Sequence, residues 1–235
     1  MYHSYIKSVN MPFLLINKPI GPTSHDIVNR LRKITGIKKI GHAGTLDPFA
    51  EGLLLVAIGR ESTRKISQFV GLDKKYLATL KLGAVSDTED RTGKISIRHP
   101  ERSDGILTKE KIEKTLKKFL GKQEQIPPMF SAKQIDGKRL YKLARQGKEI
   151  ERPTQQIEIY EIKLKKYLPK KMELILEIKC SSGTYIRTLA HDLGQTLGCG
   201  AYLEKLVRTE IGKYKIKKAI LLEKLTSKNW GKYCF

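Results

Sequence analysis

The chain has 235 residues with 40% hydrophobic content, enough for one large domain or two small ones with a real core. Its 46 Lys+Arg against 24 Asp+Glu leave a net charge of +22, which fits a polyanionic partner, nucleic acid ahead of a membrane surface. No apolar run reaches the roughly 18 residues of a membrane span and the N-terminus lacks a signal-peptide core, so a soluble, cytoplasmic protein with no membrane partner is expected. Cys180, Cys199 and Cys234 are too scattered for a disulfide framework or zinc knuckle, and no histidine pairing, Walker A loop or dinucleotide fingerprint occurs. Neither a metal nor a cofactor is expected.

Residues 1–10 are polar and irregular and read as an N-terminal extension ahead of the apolar run Phe13–Ile16. Thr23 to Asp26 has the spacing of a capping box, followed by Ile27, Leu31 and Ile34 at helical intervals and by Gly36 as a stop. Next comes Gly41-His42-Ala43-Gly44-Thr45-Leu46-Asp47-Pro48, in which Pro48 biases Asp47 toward extended geometry and the glycines allow a tight turn. Leu53–Ile58 has the composition of a buried strand. Ser62 to Val70 reads as a short helix carrying Arg64 and Lys65, and Tyr76, Ala78, Leu80 and Leu82 share one face of a strand.

Asp87–Gly93 is an acidic turn, and Lys94–Arg98 a short strand. Thr108 opens a helix with Ile112, Leu116, Phe119 and Leu120 on one face and Gly121 as its stop. Pro127–Lys133 is an extended entry to a helix from about Lys138 to Gln146, whose Lys138, Lys142 and Arg145 form a basic stripe, either a solvated face or a phosphate contact. Ile157–Leu164 is a strand with a phase slip near Tyr160, and Met172 to Cys180 alternates cleanly. A turn at Ser181–Gly183, a helix Thr184–Leu197, a strand Ala201–Val207 and a helix Ala219–Leu225 complete the chain. The pattern is α+β, with a mixed, mostly antiparallel central sheet flanked by helices and loops. Residues 11–235 read as one catalytic domain, with 94–150 as a possible RNA-binding insertion.

Local chemistry leaves roles open. Asp47 is a rigidly held carboxylate or a plain turn starter, His42 on local chemistry is a turn histidine bonded to backbone, and Tyr76 is a core tyrosine or a functional one. Arg187 sits in the first turn of its helix, where the dipole disfavours a cation unless a carboxylate answers it.

The run Gly41 to Pro48 with Ala50-Glu51-Gly52-Leu53-Leu54 resembles the signature of the TruB-type tRNA pseudouridine-55 synthases, and Cys180 to Leu189 resembles a further signature of that family. Lys18-Pro19 with Gly21 and Thr23-Ser24, Lys75-Tyr76 with Ala78, Asp87-Thr88 with Asp90 and Gly93, and Ile126-Pro127 with Met129, Ser131, Ala132, Gly137, Leu140, Tyr141, Ala144, Arg145 and Gly147 match in family order. The resemblance implies the pseudouridine synthase fold and isomerisation of the uridine at tRNA position 55, in the T loop; the expected partner is the tRNA T stem-loop and the expected state a monomer. It implies that Asp47 is the catalytic residue, that Arg187 ion-pairs with it, and that Tyr76 and Leu206 pack on the target base. His42 would fill the space the base vacates. Lys65, Asp90 and Tyr185 would support substrate binding, and Lys138, Tyr141, Lys142 and Arg145 would contact RNA. Whether Asp47 attacks uracil, attacks ribose or removes a proton stays open, as each needs an ionised carboxylate. The sequence departs from the family at Ala43 and Glu51, near Arg64, and after Tyr214, where too few residues follow for a PUA-like domain. A non-catalytic RNA chaperone or ribosome-assembly factor explains the charge equally well but has no need of Asp47 and Arg187 together.

Overall fold

A computed structural model describes residues 12–98, 107–131, 133–135 and 137–235; the N-terminal extension and Ala132 fall outside them. The first half runs β1 (Phe13–Lys18), α1 (Ser24–Thr35), β2 (Ile40–His42), β3 (Glu51–Ile58), α2 (Arg60–Arg64), α3 (Ser67–Val70), β4 (Lys74–Leu82), β5 (Ala84–Ser86), β6 (Ile95–Ile97), α4 (Lys109–Lys117) and β7 (Gly121–Gln125). Then come β8 (Gln134–Ile135), β9 (Lys138–Arg139), α5 (Leu140–Ala144), β10 (Gln155–Leu168), β11 (Glu173–Cys180), α6 (Ile186–Leu197), β12 (Ala201–Ile211), β13 (Tyr214–Lys215) and β14 (Ile220–Leu221). The chain divides into two compact units, one of Met1–Tyr76 with Leu206–Phe235 and one of Leu77–Lys205. Both divisions fall inside strands, β4 and β12, and not in a Pro/Gly/Ser-rich linker. Composition therefore carries no sign of them.

In the first unit the strand order is β14-β1-β3-β12, with β2 on β3 and β13 on β12. β1 and β3 are antiparallel, while β14 on β1 and β12 on β3 are parallel. The unbroken apolar run of β3 follows from burial on both faces. Leu54, Val56 and Ile58 join Leu14, Ile16 and the Ile27, Val28 and Leu31 stripe of α1, whereas Leu53, Leu55 and Ala57 pack with Phe13, Leu15 and Ile211. Each Leu or Ile buried this way contributes about 2 kcal/mol. α1 is capped as its sequence requires: Asp26 N donates to Thr23 Oγ1 and Thr23 N to Asp26 Oδ2, and Gly36 closes it at φ 71°.

In the second unit the order is β4-β11-β10-β7, with β10 antiparallel to both β11 and β7. β10 changes register between Ile159 and Glu161, so the slip at Tyr160 is a bulge that turns its ring out to 43% exposure. Leu174, Leu176, Ile178 and Cys180 of β11 point inward, and α4 packs on α6 and β10.

Several sequence expectations are corrected. Ser62–Val70 is two helices, because Lys65 N and Ile66 N bond only three residues back and the turn directs Ile66 and Phe69 into the β1/β3 cluster. α4 stops at Lys117, and Leu120 lies beyond it, 45% exposed; Gly121, at φ 87°, opens β7, which the helical pattern hid. Met172 is a left-handed residue ahead of β11 and not its first member. Ala219–Leu225 is no helix, for Ile220 and Leu221 pair with β1 and Leu222 and Leu225 bury through a 3-10 turn. The basic stripe also dissolves. Lys138 lies in the β8-β9 hairpin, Lys142 in the five-residue α5 and Arg145 at its C-cap, so the three share no continuous helical face.

Candidate active site

The loop that carries Asp47 is fastened residue by residue. Gly44 takes φ 96°, which a side chain would resist. Ser24, buried at the start of α1, brackets Leu46: its Oγ accepts from Leu46 N at 2.9 Å and donates to Leu46 O at 3.1 Å. Gly21 N donates to Pro48 O at 2.8 Å, Ala43 N to Leu55 O at 2.9 Å, and Ala50 N to Asp47 O at 3.1 Å. From β12, Arg208 donates to Gly44 O (3.1 Å), Thr45 O (3.3 Å) and Leu53 O (2.8 Å).

Two buried cations stand beside this loop. Lys18, Gly52 and Arg208 lie in one cross-strand row of β1, β3 and β12, with the glycine between the two long side chains. A Cβ at Gly52 would come within 2.4 Å of Arg208 O and 2.8 Å of Arg208 N, and the residue already sits at φ 110°, so the row closes only with glycine there. Lys18 is fully buried and donates to Pro19 O and Pro22 O, each at 2.9 Å. Burial pulls its pKa down to about 8 against the attraction of Asp47, with Arg208 pushing the same way as burial. The Asp47 carboxylate thus shares its surroundings with an amine that titrates near neutrality.

His42 closes β2, mostly enclosed, with Nδ1 buried and without a hydrogen-bond partner among the described residues. Desolvation and then the Arg208 charge lower its pKa, the backbone of Gly44 opposing them in part, so a neutral ring is favoured. Tyr76 (8% exposed) on β4 and Leu206 (7%) on β12 are buried. Lys65 is different. It is exposed, and its side chain makes no hydrogen bond or ion pair with another described residue.

In the second unit Arg187 is the second residue of α6, and the acid that its place on the helix dipole calls for includes Asp90, whose Oδ2 lies 3.5 Å from Nη1. Arg187 also donates to Thr88 O (3.1 Å) and Phe130 O (2.8 Å). Asp90 Oδ1 accepts from Thr88 Oγ1, Thr92 N and Thr92 Oγ1. The intervening Glu89 is held at φ 63°, receives a hydrogen bond from Thr188 Oγ1 at 2.8 Å, and has its pKa raised by burial. Tyr185 caps α6, its backbone N and O bracketed by the buried Gln125 amide at 2.8 and 3.0 Å. Around Lys138, Tyr141 and Lys142 a surface hollow of about 650 Å³ is also lined by Arg139 and Lys148, with no acidic side chain in its wall among the described residues, and Arg145 lies over the Tyr141 ring at 5.6 Å.

The structure therefore joins Asp90 to Arg187 and Tyr141 to Arg145. Sequence reasoning passed over Lys18, Ser24, Gly52, Glu89 and Arg208 as working parts. A signal existed for Arg208, which falls two residues after Leu206 on the inward side of a strand, where a cation must find partners.

Residues 32–186 match the model of the TruB family pseudouridylate synthase N-terminal domain, and residues 187–233 that of the tRNA pseudouridylate synthase B C-terminal domain. Similar proteins named tRNA pseudouridine synthase B include one from Syntrophomonas wolfei subsp. wolfei, 48% identical over 92% of this chain and 72% of the relative. Another, from Heliobacterium mobile, is 48% identical over 94% of this chain and 70% of the relative. Among solved structures, that of a Cbf5-Nop10-Gar1 complex aligns with 95% of this chain at TM-score 0.71 and 27% identity, this chain spanning 55% of the matched one. That of an H/ACA RNP bound to a substrate RNA containing 2'-deoxyuridine aligns at TM-score 0.67 and 26% identity, over 95% of this chain and 54% of the other.

Proposed function

The chain belongs to the TruB family of pseudouridylate synthases, and on that premise we propose that it isomerises uridine to pseudouridine at position 55 in the T loop of tRNA, with Asp47 as the essential carboxylate. The observation that carries the reading is the fastening of the Asp47 loop: its backbone is held from α1, β3 and β12 while its one carboxylate projects from a locked turn. A group so held needs little reorganisation when it reacts. The reaction breaks the C1′–N1 bond, rotates the uracil and forms the C1′–C5 bond; the hydrogen at C5 leaves as a proton and N1 takes one up from solvent, so the product is an isomer of the substrate. Electrons balance without an oxidant. Asp47 must be ionised to act as nucleophile or base. Asp90 sets the guanidinium of Arg187, to which the family resemblance gives the part of ion-pairing with the catalytic carboxylate. Tyr76 and Leu206 supply apolar walls for the extruded base. His42, neutral and with an unused Nδ1, takes the gap left in the T loop, offsetting unstacking that costs a few kcal/mol. The relatives' name, tRNA pseudouridine synthase B, and the net charge of +22 support tRNA as the substrate.

The test is tritium release from tRNA transcribed with uridine labelled at C5. One label per tRNA should leave, and none from a transcript with cytidine at position 55. Undiminished release from the cytidine transcript would move the target elsewhere, and tight binding without any release would make the protein a binder and not an isomerase.

A further inference from the structure

Arg208 is a cation only 1% exposed, on a strand whose neighbours are apolar, yet among the described residues its guanidinium meets no carboxylate. Its charge is directed at three backbone carbonyls, and two of these, Gly44 and Thr45, lie three and two residues ahead of Asp47. A buried charge satisfied by carbonyls alone is costly to keep, so a hydrophobic residue would serve the core better if packing were its only task. Its partners also differ in kind. Leu53 O belongs to β3, whereas Gly44 O and Thr45 O belong to a loop with no ladder of its own, and Gly44 takes a left-handed angle that nothing in its own peptide enforces. Gly52 completes the arrangement by letting the Arg208 backbone come within reach of β3.

We propose that Arg208 is a positioning residue for the isomerisation, its guanidinium gripping the carbonyls of Gly44 and Thr45 so that the Asp47 carboxylate is presented in one direction. Ser24 holds Leu46 from α1 and Arg208 holds the preceding two residues from β12, so the loop is gripped on both sides of its bend. Arg208 itself does not touch the uracil in this scheme; it acts through the loop. The inference rests on Asp47 as the catalytic carboxylate, but the geometry it claims can be read without turnover.

The experiment compares the full-length parent with Arg208→Lys and Arg208→Met in three measurements. Hydrogen exchange by mass spectrometry should show faster exchange in peptides spanning residues 43–50 of both variants, with β1 and the rest of β3 still protected. Single-turnover tritium release should fall by about a hundredfold in Arg208→Met, the scale of a misplacement near 1 Å, while tRNA affinity stays within about threefold. Arg208→Lys, which keeps the charge and can reach one carbonyl, should recover part of that rate. Unchanged exchange at 43–50 would overturn the proposal, as would a rate within threefold of the parent. So would exchange that rises throughout the first unit in step with lost rate, since that describes a core residue. If the parent itself releases no tritium, the functional reading fails, and the exchange pattern still decides whether Arg208 orders the loop.

Discussion

The Asp47 loop in one unit and the basic segment Gln134–Lys148 in the other are short stretches held in opposite ways. In the first, Gly44, Thr45, Leu46, Asp47 and Pro48 all have a backbone group bound by a neighbour, and two buried cations stand beside them. In the second, a two-residue hairpin and a five-residue helix present Lys138, Arg139, Lys142 and Arg145 outward, and Arg145 rests on the Tyr141 ring. Bond-making chemistry needs one carboxylate in one direction, so its backbone is over-determined. Attraction to phosphates needs charge of the right sign within a Debye length, and a loosely organised surface suffices. Substitutions should separate the two regions by what they change.

The largest effect falls at Asp47. Asp47→Asn keeps size and loses the charge and the nucleophile, so turnover should drop by at least about 10⁴-fold, some 5.5 kcal/mol, with tRNA affinity within about tenfold. Tritium release near the parent rate would remove Asp47 from the chemistry. Next comes Gly52→Ala, which forces a side chain at φ 110° against the Arg208 backbone. It should destabilise the protein by about 3–4 kcal/mol, read as a lower urea midpoint, with activity lost in the molecules that remain folded. An unchanged midpoint would mean that β3 and β12 can part at no penalty, and the account of the Asp47 loop would weaken with it.

The same contrast explains what was legible in the sequence. α1 was readable to its caps because Thr23, Asp26 and Gly36 act on their own neighbourhood. β3 and β11 were readable because burial on two faces and on one face leave different repeats. The Asp47 loop was recognisable as a motif, but the residues that fasten it were not. Ser24 and Leu46 are 22 positions apart and Arg208 and Gly44 are 164, and no local pattern encodes such partners. The errors cluster where propensity is weak and tertiary pairing decides. Ala219–Leu225 has helical apolar spacing, yet Ile220 and Leu221 gain more by pairing with Ile16 and Asn17 of β1. Lys138 to Gln146 has helical spacing too, but Gly137, at φ 74°, and the hairpin it permits use up the first turn.

A smaller effect should be seen at Lys18, whose folded pKa of about 8 lies below the ordinary 10.5. Between these values the unfolded chain holds a proton that the folded one has released, so Lys18 makes stability rise with pH across this window and adds nothing further above it. The full span is worth about 3 kcal/mol. Lys18→Met should remove this rise, so that urea unfolding at pH 7.5 and at pH 10 shows the parent gaining on the variant. Parallel behaviour of the two would mean that the amine is already neutral, or never desolvated, in the fold.

The smallest effect per residue belongs to the basic segment, and it should be one of kind more than size. Lys138, Lys142 and Arg145 are exposed, and none of their side chains bonds the backbone of a described residue, so replacing all three by Gln should leave the melting temperature within about a degree. At saturating tRNA the single-turnover rate should remain within about twofold of the parent, because the Asp47 loop is untouched. What should change is affinity, down about tenfold near 0.1 M salt, or about 1.4 kcal/mol, and its salt dependence, with the log–log slope shallower by about one for each phosphate left without its cation. A slope identical to the parent's would show that these three charges meet no phosphate. A fall in the saturated rate with the slope preserved would instead place the segment in the chemistry, and the division between a locked catalytic loop and a tolerant electrostatic surface would fail.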